Sequence, residues 1–67
     1  SIKLDGESLL CPDLKANSSI AIYTLNGSLV MKKTIRQDGE YAFPVLNLSN
    51  GVYMVNVNGL SYKFMKK

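Results

Sequence analysis

Histidine and tryptophan are missing from this 67-residue chain, cysteine occurs once and proline twice. With no imidazole and a single thiol, the chain cannot form a Cys–His or Ser–His catalytic pair, a disulfide framework or a zinc site of ordinary ligand count. Most hydrolytic chemistry is thereby excluded, no catalytic residue is assigned, and no cofactor or metal is expected. Cys11, set inside "LLCP", reads as a small buried hydrophobe rather than a reactive thiol. Acids are scarce too, five in all, with Asp5, Glu7, Asp38 and Glu40 in two Asp-Gly-Glu stretches. A glycosidase needs two carboxyls facing one cleft and a calcium loop needs a denser run of oxygens, so these acids read as turn formers. No apolar run approaches the roughly 18 residues of a membrane span, and the first residues lack the charged and apolar regions of a signal peptide. No transmembrane segment is expected. Because the chain starts at Ser1 with no Met before it, a fragment of a longer or processed protein is expected.

What is present is a globular composition, 46% hydrophobic and 19% charged. A chain of this size buries only about 60% of the surface it exposes when unfolded, so the expectation is one domain, residues 1–67, with a thin core. Apolar residues recur with period two and no window shows the i, i+3, i+4 pattern of a helix. Turn signals fall at Asp5-Gly6, around Pro12 to Ser18, and at Asn26-Gly27, Asp38-Gly39, Asn50-Gly51 and Asn58-Gly59. They divide the chain into seven predicted strands: 2–4, 7–11, 19–25, 28–35, 40–46, 52–57 and 60–66. The fold class is all-β, a sandwich or barrel.

A two-residue loop at Asn58-Gly59 predicts Val57 opposite Leu60, Val55 opposite Tyr62 and Tyr53 opposite Phe64 on a core face. Asn56 with Ser61 and Met54 with Lys63 fall on the other. The same counting from Asn26-Gly27 sets Tyr23 against Val30 and Ile22 against Met31, with Asn26 expected at positive φ. Strand 19–25 is apolar on both sides and is predicted to be central and covered. Pro44 places strand 40–46 at a sheet edge, because it has no N–H to give a neighbour. Leu46 and Leu48 are predicted to tuck under the sandwich.

Asn17, Asn26 and Asn47 each begin an Asn-x-Ser sequence, better read as turn chemistry than as glycan sites. The net charge of +3 raises the question of nucleic acid. Since Tyr53, Tyr62 and Phe64 count onto the apolar face, stacking on bases is not expected, and nucleic acid is not taken as a partner. Lys32, Lys33 and Arg36 read as a solvated face. Lys63, Lys66 and Lys67, at the end of the sequence, cover no core and form a basic tip that a partner could read.

The blocks "IAIYTLNGSLV" and "LNLSNGVYMVNVNG", with "YKFMKK" after them, resemble the type A C-terminal sorting domain of the type IX secretion system of Bacteroidetes. That family reads roughly as an "IYDLNGRLV" hairpin, an "LPSGVYIV" strand and a basic finish. Ile22, Tyr23, Leu25, Asn26, Gly27, Leu29 and Val30 match the first block, and Leu48, Ser49, Gly51, Val52, Tyr53 and Val55 the second. The chain lacks the family's "PNP" segment, and Cys11-Pro12 and Asn50 depart from its pattern. The resemblance implies a small seven-stranded immunoglobulin-like β-sandwich that is not an enzyme. It implies an N-terminal cargo domain in the same chain, transit through the periplasm, and delivery by an outer-membrane translocon to the cell surface or medium. It further implies removal of the domain by a sortase-like peptidase and attachment of cargo to the surface. On this reading Gly51 permits the turn into the strand, Tyr53 anchors it, Asn26 and Gly27 make the first hairpin, and Lys63, Lys66 and Lys67 are recognised by the translocon. The alternative is an accessory sandwich that binds carbohydrate or protein for a secreted enzyme. Edge strands leave open a homodimer by edge pairing.

Overall fold

The structure, a computed structural model, describes residues 2–67. The strands are β1 (Lys3–Asp5), β2 (Ser8–Leu14), β3 (Ser18–Thr24), β4 (Leu29–Ile35), β5 (Gly39–Pro44), β6 (Gly51–Val57) and β7 (Leu60–Lys66). They form two antiparallel sheets, one ordered β1-β2-β5 and the other β4-β3-β6-β7. The chain crosses between the layers after β2, β4 and β5, giving the seven-stranded β-sandwich that the alternating pattern predicts. Among the described residues there is no helix long and apolar enough to cross a membrane.

The core between the layers is made by Leu9, Cys11 and Leu14 of β2, Phe43 of β5 and Val45 beyond it, facing Ile20, Ile22, Ile35, Tyr53, Val55 and Phe64. Leu9, Ile20, Ile22, Val45 and Val55 are fully buried, each stabilising the fold by about 1.5–3 kcal/mol relative to exposure. Pro44 lies on β5, an edge strand as expected, opposite Ser8. Pro12 does not end β2, which continues to Leu14 through a bulge between Cys11 and Leu14 where Asp13 has a φ of 57°. There β1 has already stopped pairing, its last partner on β2 being Leu10, so the missing N–H interrupts no ladder.

The β6–β7 hairpin has the predicted register throughout, from Val57 opposite Leu60 to Gly51 opposite Lys66. Its turn residues Asn58 and Gly59 have φ of 52° and 90°, the two positive values that a twist-matched two-residue turn requires. Burial follows the prediction on β6, where Val57 too packs against the core, but at the turn end of β7 it does not. Tyr53, Val55 and Phe64 are buried, whereas Leu60 is 64% and Tyr62 41% exposed. The element of the opposite layer that reaches β7 is β1, three residues long, and it is too short to cover the turn end.

Two further expectations are corrected. Ile22 pairs with Met31 as predicted, but a bulge sets Tyr23 opposite Leu29 rather than Val30. The loop holds three residues, Leu25, Asn26 and Gly27, closed by Thr24 N–H donating to the Ser28 carbonyl at 2.9 Å. Asn26 is not at positive φ; Gly27 is, at 93°. The Asn26 side chain instead accepts a hydrogen bond from the Thr24 hydroxyl. The second concerns β3, which is central in its sheet with Ile20 and Ile22 in the core, yet only one of its faces is covered by another layer. Leu48 packs against the core as expected, while Leu46 is exposed.

Candidate recognition surface at the end of the four-stranded sheet

Register brings the separate sequence blocks to one place. Thr24 lies opposite Tyr53 and Tyr53 opposite Phe64, so the β3–β4 turn, the start of β6 and the end of β7 share one end of the sheet. Asn26, Gly27, Gly51, Tyr53, Lys66 and Lys67 therefore gather there, although 41 residues of sequence separate Asn26 from Lys67. Gly51 pairs with Lys66 at a φ of 155°, a region that side chains other than glycine rarely enter. Tyr53, two residues on, donates its hydroxyl hydrogen to the Ser49 carbonyl at 2.7 Å and closes the connection that leads into β6. Its ring stacks on Phe64 of β7, with centroids 5.5 Å apart and an interplanar angle of 21°. One side chain thus holds the connection, the core and the last strand together.

The other end of the hairpin is tied to the sheet by a different residue. Asn58 accepts from the Ser19 N–H at 3.0 Å through its side-chain oxygen and donates from its side-chain nitrogen to the Ser18 hydroxyl at 3.1 Å. Its own N–H donates to the Ser19 carbonyl at 3.1 Å. The turn is fastened to the neighbouring strand β3, and the hairpin has little freedom to swing.

The three lysines of the predicted basic tip do not point one way. Lys66 and Lys67 stand at the sheet end, while Lys63 lies three residues back and on the outer face, opposite Met54. Alternation along β7 separates it from Phe64 and Lys66, whose strand faces are the other one. The outer face itself is the feature that the sequence reading missed. Across it run Lys63, Met54, Tyr23 and Leu29 as direct neighbours, with Val52 beside Met65 in the next row. The signal was in β6, where Val52 and Met54 are apolar opposite to Tyr53 and Val55.

Two hollows, each of about 310 Å³, lie away from this surface. One opens between the layers beside Leu60 and Tyr62, over Pro12 and the buried Cys11, whose thiol burial pushes above its ordinary value. The other, beside β4 and β5, mixes Lys33 and Arg36 with Asp38 and Glu40. Asp38 is occupied there in accepting from the Ala16 N–H at 2.8 Å, and Lys33 sits over the Tyr41 ring at 5.8 Å from its centroid.

The family described as the secretion system C-terminal sorting domain matches residues 2–67. This chain belongs to that family. The sorting domain is the C-terminal signal of type IX secretion, so membership implies cargo in the same chain, secretion machinery as partner, and export to the cell surface or medium. It is not a catalytic family, and nothing in the match points to an accessory binding module. No curated protein and no solved structure matches the chain.

Proposed function

We propose that the domain acts as a folded address label, read at the sheet end where Lys66 and Lys67 stand beside the Asn26-Gly27 turn, with Lys63 a further contact. The label does no chemistry of its own. It occupies residues 1–67 as the C-terminal domain of a longer secreted protein, enters the periplasm with its cargo, and brings that cargo to the outer-membrane translocon. A sortase-like peptidase then removes the domain and the cargo is attached to the surface. The observation that carries the reading is the continuous pairing of β7 with β6 up to Lys66, which holds the backbone of Lys63 and Lys66 in fixed geometry. A signal read after folding needs such an ordered strand, since a fraying segment would add an ordering cost to every recognition event.

The test is a reporter fused ahead of this chain in a bacterium with type IX secretion. Removing Lys66 and Lys67 should leave the reporter in the periplasm while the circular dichroism of the domain stays unchanged. A reporter that reaches the medium at the original rate without those lysines would refute recognition at the tip.

A further inference from the structure

The acids of this protein are confined to one sheet and its loops, whereas its bases lie on both, Lys3 on β1 included. All five acids, Asp5, Glu7, Asp13, Asp38 and Glu40, lie on the three-stranded layer, its turn or the loop leading to β5. The strands of the four-stranded sheet carry none, and hold Lys32, Lys33, Lys63 and Lys66. On the outer face of that sheet the apolar row Leu29, Tyr23 and Met54 ends in Lys63 at the β7 edge, and the next row ends in Lys32 at the β4 edge, opposite Ala21. Leu29 is 56% and Met65 54% exposed, while Tyr23, Val52 and Met54 are half-buried on the side away from the core and the small Ala21 is buried among its neighbours. The result is a face with no layer over it, apolar across Leu29, Tyr23, Met54, Val52 and Met65 and polar beyond Ala21 at Asn56 and Ser61, with a lysine at either edge and no carboxylate.

Resting on the sorting reading, we infer that this outer face is where the secretion machinery docks, through a protein surface that is apolar at its centre and acidic at its rim. Charge decides between occupants. A second copy laid face to face would set lysines against lysines with no acid to offset them. A bilayer needs side chains driven about 5–10 Å past the headgroups, whereas the apolar side chains of this face stand on strands, with Leu25 alone on the adjoining loop. Tyrosine and methionine at the centre with a polar rim is the pattern of a protein interface, and the flexible methionines let such a face adapt to the surface it meets.

The experiment uses the same reporter fusion, with L25S/L29S and K32E as face variants and L46S and K15E as exposed controls on other surfaces. The face variants should retain at least tenfold more reporter in the periplasm than the parent chain, with the controls exported normally and all domains folded by circular dichroism. A photo-crosslinking side chain at position 29, but not at 46, should join a secretion protein, and exchanging an acid at that contact for lysine should restore export of K32E. If the parent is exported and the face variants match it, the docking face is wrong while the sorting function stands. If the parent itself is retained, the sorting reading fails and takes the docking face with it. Two other results overturn the protein partner: binding to vesicles of 30% phosphatidylglycerol that L25S/L29S abolishes while crosslinks are absent, or a dimer in sedimentation that the same variant dissolves.

Discussion

Tyr53 shows how much of this fold one side chain carries. Its ring fills core space against Phe64 and its hydroxyl closes the Ser49 connection, and the two contributions separate cleanly by substitution. Tyr53→Phe removes only the hydrogen bond, whose acceptor belongs to an exposed residue that water can serve, and should cost about 1 kcal/mol in urea unfolding. Tyr53→Ala also empties the core position and should cost about 3–5 kcal/mol. Equal losses from the two would mean that the ring contributes nothing. Cys11 is the second informative residue, because burial holds its thiol above the ordinary value of 9.0. A raised folded pKa favours the protonated form in the native state. The contribution is therefore full below about pH 9 and declines as pH rises above it, when the unfolded thiol ionises and the buried one does not. Stability measured from pH 8 to 10 should fall more steeply for the parent than for Cys11→Ala, and Ellman's reagent should label Cys11 only on unfolding. Rapid labelling of the native chain would contradict this.

At the scale of elements, the two Asn-Gly hairpins are the instructive pair. The dipeptides are identical, yet Asn58 adopts positive φ in a two-residue turn and bridges to β3, while Asn26 sits in a three-residue loop with only a local bond to Thr24. Asn58→Ala loses two hydrogen bonds and forces alanine into the left-handed region, together about 2–3 kcal/mol. Asn26→Ala should cost less than about 1 kcal/mol. For a chain this short the first change lowers Tm by about 10 °C or more and the second by a few degrees at most. Equal shifts in thermal melts would remove the distinction. The register of β6 and β7 was legible because strict alternation on both strands and a turn of fixed length agree. The β3–β4 register was not, since Thr24, through its hydroxyl bonds to the Ser28 N–H and to Asn26, closes the loop one residue wider than the dipeptide implies. The resulting bulge turns Val30 toward the core and leaves Leu29 outside, a choice that hydrophobicity alone cannot make between two aliphatic neighbours.

Over the whole molecule, seven strands and their two-layer packing follow from period-two patterning, but which faces are covered depends on how far the opposing layer extends. That extent is long-range information. The short β1 leaves Leu60 and Tyr62 outside, and with no third layer over the outer face of β3 Tyr23 is only half-buried, so apolar character predicted burial wrongly at both places. The same thin core makes the end of the sequence a sharp boundary between recognition and stability. A chain of 67 residues has about 3–10 kcal/mol of stability in total. Phe64 is the last buried residue, and losing it removes an aromatic core side chain worth about 3–5 kcal/mol together with the stacking partner of Tyr53. Truncation after Met65 should thus keep a cooperative melt within a few degrees of the parent, whereas truncation after Lys63 should leave most of the chain unfolded at 37 °C. Thermal melts of the two truncated chains decide it, and a gradual loss of Tm with each residue removed would show that β7 is held by its pairing alone and not by Phe64.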